Sequence, residues 1–111
     1  MRSFTELRSI DAIDLFTKDN RLSLLFVSRP GCSVCHDLLP QVQTLMKNYP
    51  KIQLGYINAD DVETIAGHFS IFTVPVILVC VEGKEIIREA RIVHMDLFKE
   101  KLDKLYKNVA G

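Results

Sequence analysis

The chain has 111 residues, 48% hydrophobic and 25% charged, enough for one packed core and unlike a disordered tail. Its 14 Lys and Arg offset 14 Asp and Glu, so no long-range field recruits nucleic acid or an anionic membrane. One domain over residues 1–111 is expected.

Met1 to Asn20 alternates charged and apolar residues, a pattern of neither a signal peptide nor a spanning helix, so a cytoplasmic setting is expected. Within it, Ile10, Ile13 and Phe16 share one face of a helix predicted over Ser9 to Asp19. Leu22, Leu24, Leu25, Phe26 and Val27 then form the apolar run of a strand buried on both faces. Ser28-Arg29-Pro30-Gly31 ends that run as a turn.

Beyond the turn, Leu38, Val42, Leu45, Met46 and Tyr49 recur at helical spacing, predicting a helix from near Cys32 with a kink at Pro40. Ile52 to Ile57 reads as a strand. Asn58-Ala59-Asp60-Asp61 then reads as turn and cap for a short helix presenting Val62, Ile65, Ala66 and Phe69. Val76 to Val81 and Glu85 to Ile92 flank Glu82-Gly83-Lys84 as a hairpin. A last helix, capped by Asp96, turns Phe98, Leu102, Leu105, Tyr106 and Val109 inward and lysines outward. The sum is an α/β chain, a mixed sheet flanked by helices.

The chain holds three cysteines, an odd number that argues against a structural disulfide framework. Cys32-Ser33-Val34-Cys35 follows a buried strand through a tight turn and opens a helix. At a helix start, unpaired N–H groups and the positive dipole end stabilise an anion, so Cys32 loses its proton more readily than a free cysteine. Cys35, one turn further on, is placed to attack a mixed disulfide formed at Cys32. Cys32 is therefore the candidate nucleophile and Cys35 the candidate resolving thiol. Arg29 and His36 add positive charge nearby in sequence and are secondary candidates.

Other chemistries share the pattern. Two buried small hydrophobes at a helix start would look the same. Cys32 to His36 also spells the C-x-x-C-H of c-type haem attachment, which needs export machinery and a second axial ligand. Zinc could take Cys32, Cys35 and His36, but no second C-x-x-C or His pair supplies further ligands. Cys80 lies in an apolar strand, His68 near a helix end and His94 at a strand-to-helix junction, all ordinary structural positions.

Strand, Pro30-Gly31-Cys32-Ser33-Val34-Cys35, a helix with an internal proline and a later Val74-Pro75 before a hairpin resemble the thioredoxin-like family. The resemblance spans roughly Ser9 to Val109 and implies the thioredoxin fold, with a central mixed sheet of four or five strands. It implies that Pro75 is cis and sits against the cysteine pair, with Thr73, Val74, Pro75 and Gly31 meeting an extended client. It also implies a thiol-disulfide oxidoreductase acting on disulfide-containing client proteins, as a monomer. The reductant it implies is an NADPH-dependent thioredoxin reductase, with no bound cofactor or metal beyond the Cys32/Cys35 redox pair.

Gly31 stands where thioredoxins usually carry tryptophan, Ser33-Val34 where they carry Gly-Pro, and Phe26 where a buried carboxylate commonly assists the resolving cysteine. These departures support an alternative, a thioredoxin-fold protein-binding or redox-regulatory module without general reductase turnover.

Overall fold

Five strands and four helices are laid out along residues 2–110, the part of the chain that the computed structural model describes. In chain order they are β1 (Thr5–Glu6), α1 (Ile10–Asp19), β2 (Leu22–Ser28), α2 (Ser33–Met46) and β3 (Gln53–Asn58), followed by α3 (Ile65–Phe69), β4 (Val76–Val81), β5 (Lys84–Ala90) and α4 (Met95–Val109). The sheet order is β1-β3-β2-β4-β5. β1, β3 and β2 are parallel; β4 runs antiparallel to β2, and β5 antiparallel to β4.

β2 is central because it can be: all seven of its residues are buried, as its unbroken apolar run requires. Side chains alternate across the sheet. Leu22, Leu24 and Phe26 face a core made with Leu38, Val42 and Met46 of α2 and Phe98 and Leu102 of α4. Leu25 and Val27 face a second core with Ile13 of α1 and Ile65 of α3. Each of these fully buried apolar side chains contributes about 2 kcal/mol. Gly55 of β3 lets the second layer approach closely, since a Cβ there would lie 2.7 Å from Leu7 and 3.1 Å from Phe16.

Ser9 caps α1 by accepting the Ala12 N–H at 3.0 Å. α2 runs through Pro40 as one assigned helix and ends at Met46, earlier than the apolar spacing to Tyr49 suggests. Tyr49 is still buried, in a turn closed by its N–H on the Met46 carbonyl.

One strand is added to those read from the sequence, and two local expectations are corrected. β1 has no counterpart in the sequence reading, because its two residues are exposed and identified by pairing with Gly55 and Tyr56. α3 begins later than predicted: the Asn58 side chain accepts the Asp60 N–H at 2.9 Å in the expected turn, but Val62 then heads a further turn closed by the Ile65 N–H on its carbonyl at 3.1 Å, so the helix starts only at Ile65. α4 is capped at His94 without a side-chain hydrogen bond, and Asp96 lies inside its first turn, where a carboxylate favours the dipole.

Candidate active site

β2 delivers the chain to a turn in which the Cys32 N–H donates to the Arg29 carbonyl at 3.1 Å. Cys32 is the N-cap of α2, with extended backbone (φ −93°, ψ 98°), and its Sγ accepts the Cys35 N–H at 3.2 Å. No acidic residue occupies the first turn of α2 to oppose negative charge on that sulfur. Cys32 and Cys35 are joined as a disulfide with Cα atoms 5.3 Å apart. Cys32 is half-buried, whereas Cys35 is 1% exposed.

An aromatic stack shares the core into which Cys35 is buried. Phe26 is fully buried in the same core, stacked on Tyr56 at 6.2 Å and edge-on to Phe4 at 6.3 Å. A ring in this position offers no base to the Cys35 thiol.

The flanking side chains of Arg29 and His36 are already engaged. Arg29 Nε lies 3.1 Å from Asp60 Oδ1, and the Ala59 N–H donates to the Ser28 carbonyl at 2.8 Å, tying the turn to the loop after β3. His36 folds back so that Nε2–H donates to the Pro30 carbonyl at 2.9 Å. Both side chains brace the turn, a role their sequence neighbourhood did not reveal.

Across the site, the antiparallel register Val27 with Val76 puts Pro75 level with the end of β2, where the turn begins. The Val74–Pro75 bond is cis. Pro75 is buried, Val74 packs against both cores, and Cys32 packs against the one that holds Cys35 and Phe26. The Pro75 carbonyl accepts the Arg91 N–H at 2.9 Å. Among the described residues, the backbone groups of Thr73 and Val74 have no backbone partner. Gly31 is exposed, and a Cβ added there would meet nothing within 4 Å.

Apolar side chains that sequence reasoning passed over lie exposed on the segments around the pair. Val34 is in the first turn of α2, Phe72 precedes Thr73, and Ile92 follows β5. No pattern signals them, because each lies beside a turn rather than on a periodic face.

The remaining candidates stand apart. Cys80 is buried in β4 opposite Ser23, and burial, helped by the Glu85 charge, pushes its thiol up to about 11. His68 Nε2 lies 3.6 Å from Asp14 Oδ1 on the surface. Among the described residues, no group of three or more His, Cys, Asp or Glu side chains could hold a metal, and no helix is long and apolar enough to cross a membrane.

The family model described as Thioredoxin matches residues 13–105. The thioredoxin-like protein YdfQ of Bacillus subtilis (strain 168) is 46% identical over 111 residues, covering 100% of this chain and 99% of that protein. The chain belongs to the thioredoxin family. Protein disulfide-isomerase 2-3 of Arabidopsis thaliana is 32% identical over 75 residues, 67% of this chain and 17% of that protein. Among solved structures, thioredoxin from Trypanosoma brucei brucei superposes with a TM-score of 0.83 at 14% identity, covering 95% of this chain and 92% of that one. Fasciola hepatica thioredoxin superposes with a TM-score of 0.80 at 20% identity, covering 91% and 98%. These two likenesses establish the thioredoxin fold. Family membership together with the disulfide-linked C-x-x-C pair makes the protein a thiol-disulfide oxidoreductase, and the family acts on disulfide-containing substrates.

Proposed function

We propose that Cys32 is the nucleophile and Cys35 the resolving thiol of a reaction that reduces or exchanges disulfides in client proteins. The difference in access carries this reading: Cys32 is half-buried at the helix cap, while Cys35 is 1% exposed. An incoming disulfide meets Cys32 first.

In the reduced protein, the Cys35 N–H and the positive end of α2 hold the Cys32 thiolate. That thiolate attacks one client sulfur, the client S–S bond breaks, and the other sulfur leaves as a thiolate that takes a proton from water. Cys35 then loses its proton to water, since Phe26 supplies no base, and attacks Cys32 Sγ. The second client sulfur leaves, two electrons have passed to the client, and the Cys32–Cys35 disulfide remains. The pair itself carries the electrons, so no bound cofactor enters the step.

Thr73, Val74, Pro75 and Gly31 form the client-binding edge in this reading. The unpartnered backbone of Thr73 and Val74 suits strand-like addition of an extended peptide, and the open space at Gly31 leaves the approach clear. The unit of function is one domain acting as a monomer. An NADPH-dependent thioredoxin reductase restores the dithiol, in a cytoplasm whose thiol pools keep such pairs reduced.

The test is covalent trapping. Cys35→Ala should accumulate a mixed disulfide with an oxidised client, Cys32→Ala should form none, and wild type should turn over. An adduct forming in Cys32→Ala and not in Cys35→Ala would reverse the roles. Absence of both turnover and adduct would favour the binding module.

A further inference from the structure

The loop between α3 and β4 carries the backbone assigned above to the client, and β5 together with the residue that follows it holds the loop from both ends. At the far end, the Arg91 N–H donates to the Pro75 carbonyl. At the near end, Arg88 Nη1 donates to the Ser70 carbonyl at 3.0 Å and Nη2 to the Phe69 carbonyl at 2.7 Å. Ser70, the C-cap of α3, is left-handed at φ 55°, so the two carbonyls meet one guanidinium where α3 ends. Glu85 fixes the guanidinium from behind through Nε at 2.8 Å and Nη2 at 2.7 Å, a two-point carboxylate contact. Between these anchors Ile71 is buried, while Thr73 and Val74 are half-buried without backbone partners.

We propose that Arg88, oriented by Glu85, is a positioning residue that sets the client-binding conformation of the loop over Phe72, Thr73 and Val74. It acts on recognition and not on the sulfur chemistry, because it touches the carbonyls of Phe69 and Ser70 and neither cysteine. An ordinary surface ion pair would carry no such role. This one differs in geometry: a single planar group bridges a carboxylate on β5 to two carbonyls eighteen and nineteen residues away. A lysine ammonium cannot reproduce that fork. Mutual hydrogen bonding holds the Glu85 carboxyl below its ordinary range and raises Arg88, consistent with both remaining charged.

The proposal rests on the reading that Thr73 and Val74 meet the client backbone, and three measurements keep the two separable. Turnover is followed with a short disulfide-linked peptide and with the small disulfide dithiobis(nitrobenzoate), which needs no extended contact. Backbone order parameters of Phe72, Thr73 and Val74 are measured by NMR in the oxidised protein without client. For Arg88→Ala we expect the peptide KM to rise roughly tenfold with kcat within about twofold. The small-disulfide rate and the redox midpoint should not move, and loop order parameters should fall towards ~0.6. Arg88→Lys and Glu85→Gln should move the peptide KM the same way by about threefold. If Arg88→Ala does not fold, these two carry the test alone.

Equal losses on both substrates, or an unchanged peptide KM with unchanged loop order, would overturn the positioning role while leaving the client site in place. A disordered loop with an unchanged peptide KM would overturn both.

Discussion

The two ends of the central sheet are built to opposite rules. At the end where β2 finishes, Thr73 and Val74 have no backbone partner among the described residues, Gly31 leaves open space, and Val34 and Ile92 stand exposed. At the other end long side chains tie several elements together. The Arg2 guanidinium donates to the carbonyls of Met46, Tyr49 and Ile52, closing the C-terminus of α2 and the approach to β3. The Tyr49 hydroxyl donates to Asp103, which also pairs with Lys99 at 2.8 Å, and Tyr49 packs edge-on against Tyr106. The lesson is a division of labour: the far end ties separate elements to one another, whereas the site end is braced within its own turns and leaves backbone groups and apolar side chains open.

The strongest challenge to that division is Phe26, where packing and chemistry meet. Phe26→Asp should cost at least about 3 kcal/mol, because it removes a fully buried ring and buries a carboxyl in its place. It should also give the Cys35 attack a new pH dependence, read by single-turnover kinetics of mixed-disulfide breakdown. An unchanged pH profile together with unchanged melting would show that Phe26 serves neither end.

At the far end, Arg2→Ala should lower stability by about 2 kcal/mol in urea titration, through loss of its charged carbonyl contacts. Client kcat/KM should stay unchanged. A kinetic defect of similar size would break the division.

The smallest effect is a pH dependence at Cys80. Its pKa rises from 9.0 unfolded to about 11 folded, so the folded state holds the proton more tightly. The associated stability is present below pH 9 and is lost as pH rises through about 11. Urea midpoints of wild type should fall across that window more steeply than those of Cys80→Val, while thiol reagents at neutral pH should label reduced Cys32 well before Cys80. Equal slopes would remove Cys80 from the account.

What could be read from the sequence follows the same line between local and distant causes. The buried run of β2, the turn into Cys32, the helical spacing of Leu38 and Val42 and the Val74-Pro75 signal are local patterns, and they located the fold and the cysteine pair. The placement of Pro75 beside that pair came through family resemblance, and the register of β4 against β2 provides its structural basis. Contacts spanning long stretches of chain were illegible: Arg2 reaching Ile52, Arg88 reaching Phe69, and β1 known by its partner Gly55. The late start of α3 has another cause, since Val62 heads a turn closed by the Ile65 N–H and Thr64 caps the helix without a side-chain hydrogen bond.

The borders of the sheet carry one further consequence. The border of an open sheet is a template on which loose strands of other chains can pair. β1 contributes two residues, too few to seed such pairing, and β5 lines the opposite border with Lys84, Glu85, Arg88 and Glu89. The same guanidinium that holds the end of α3 thus helps keep that border charged, making it a poor template for aggregation while the cysteine end stays open to exchange.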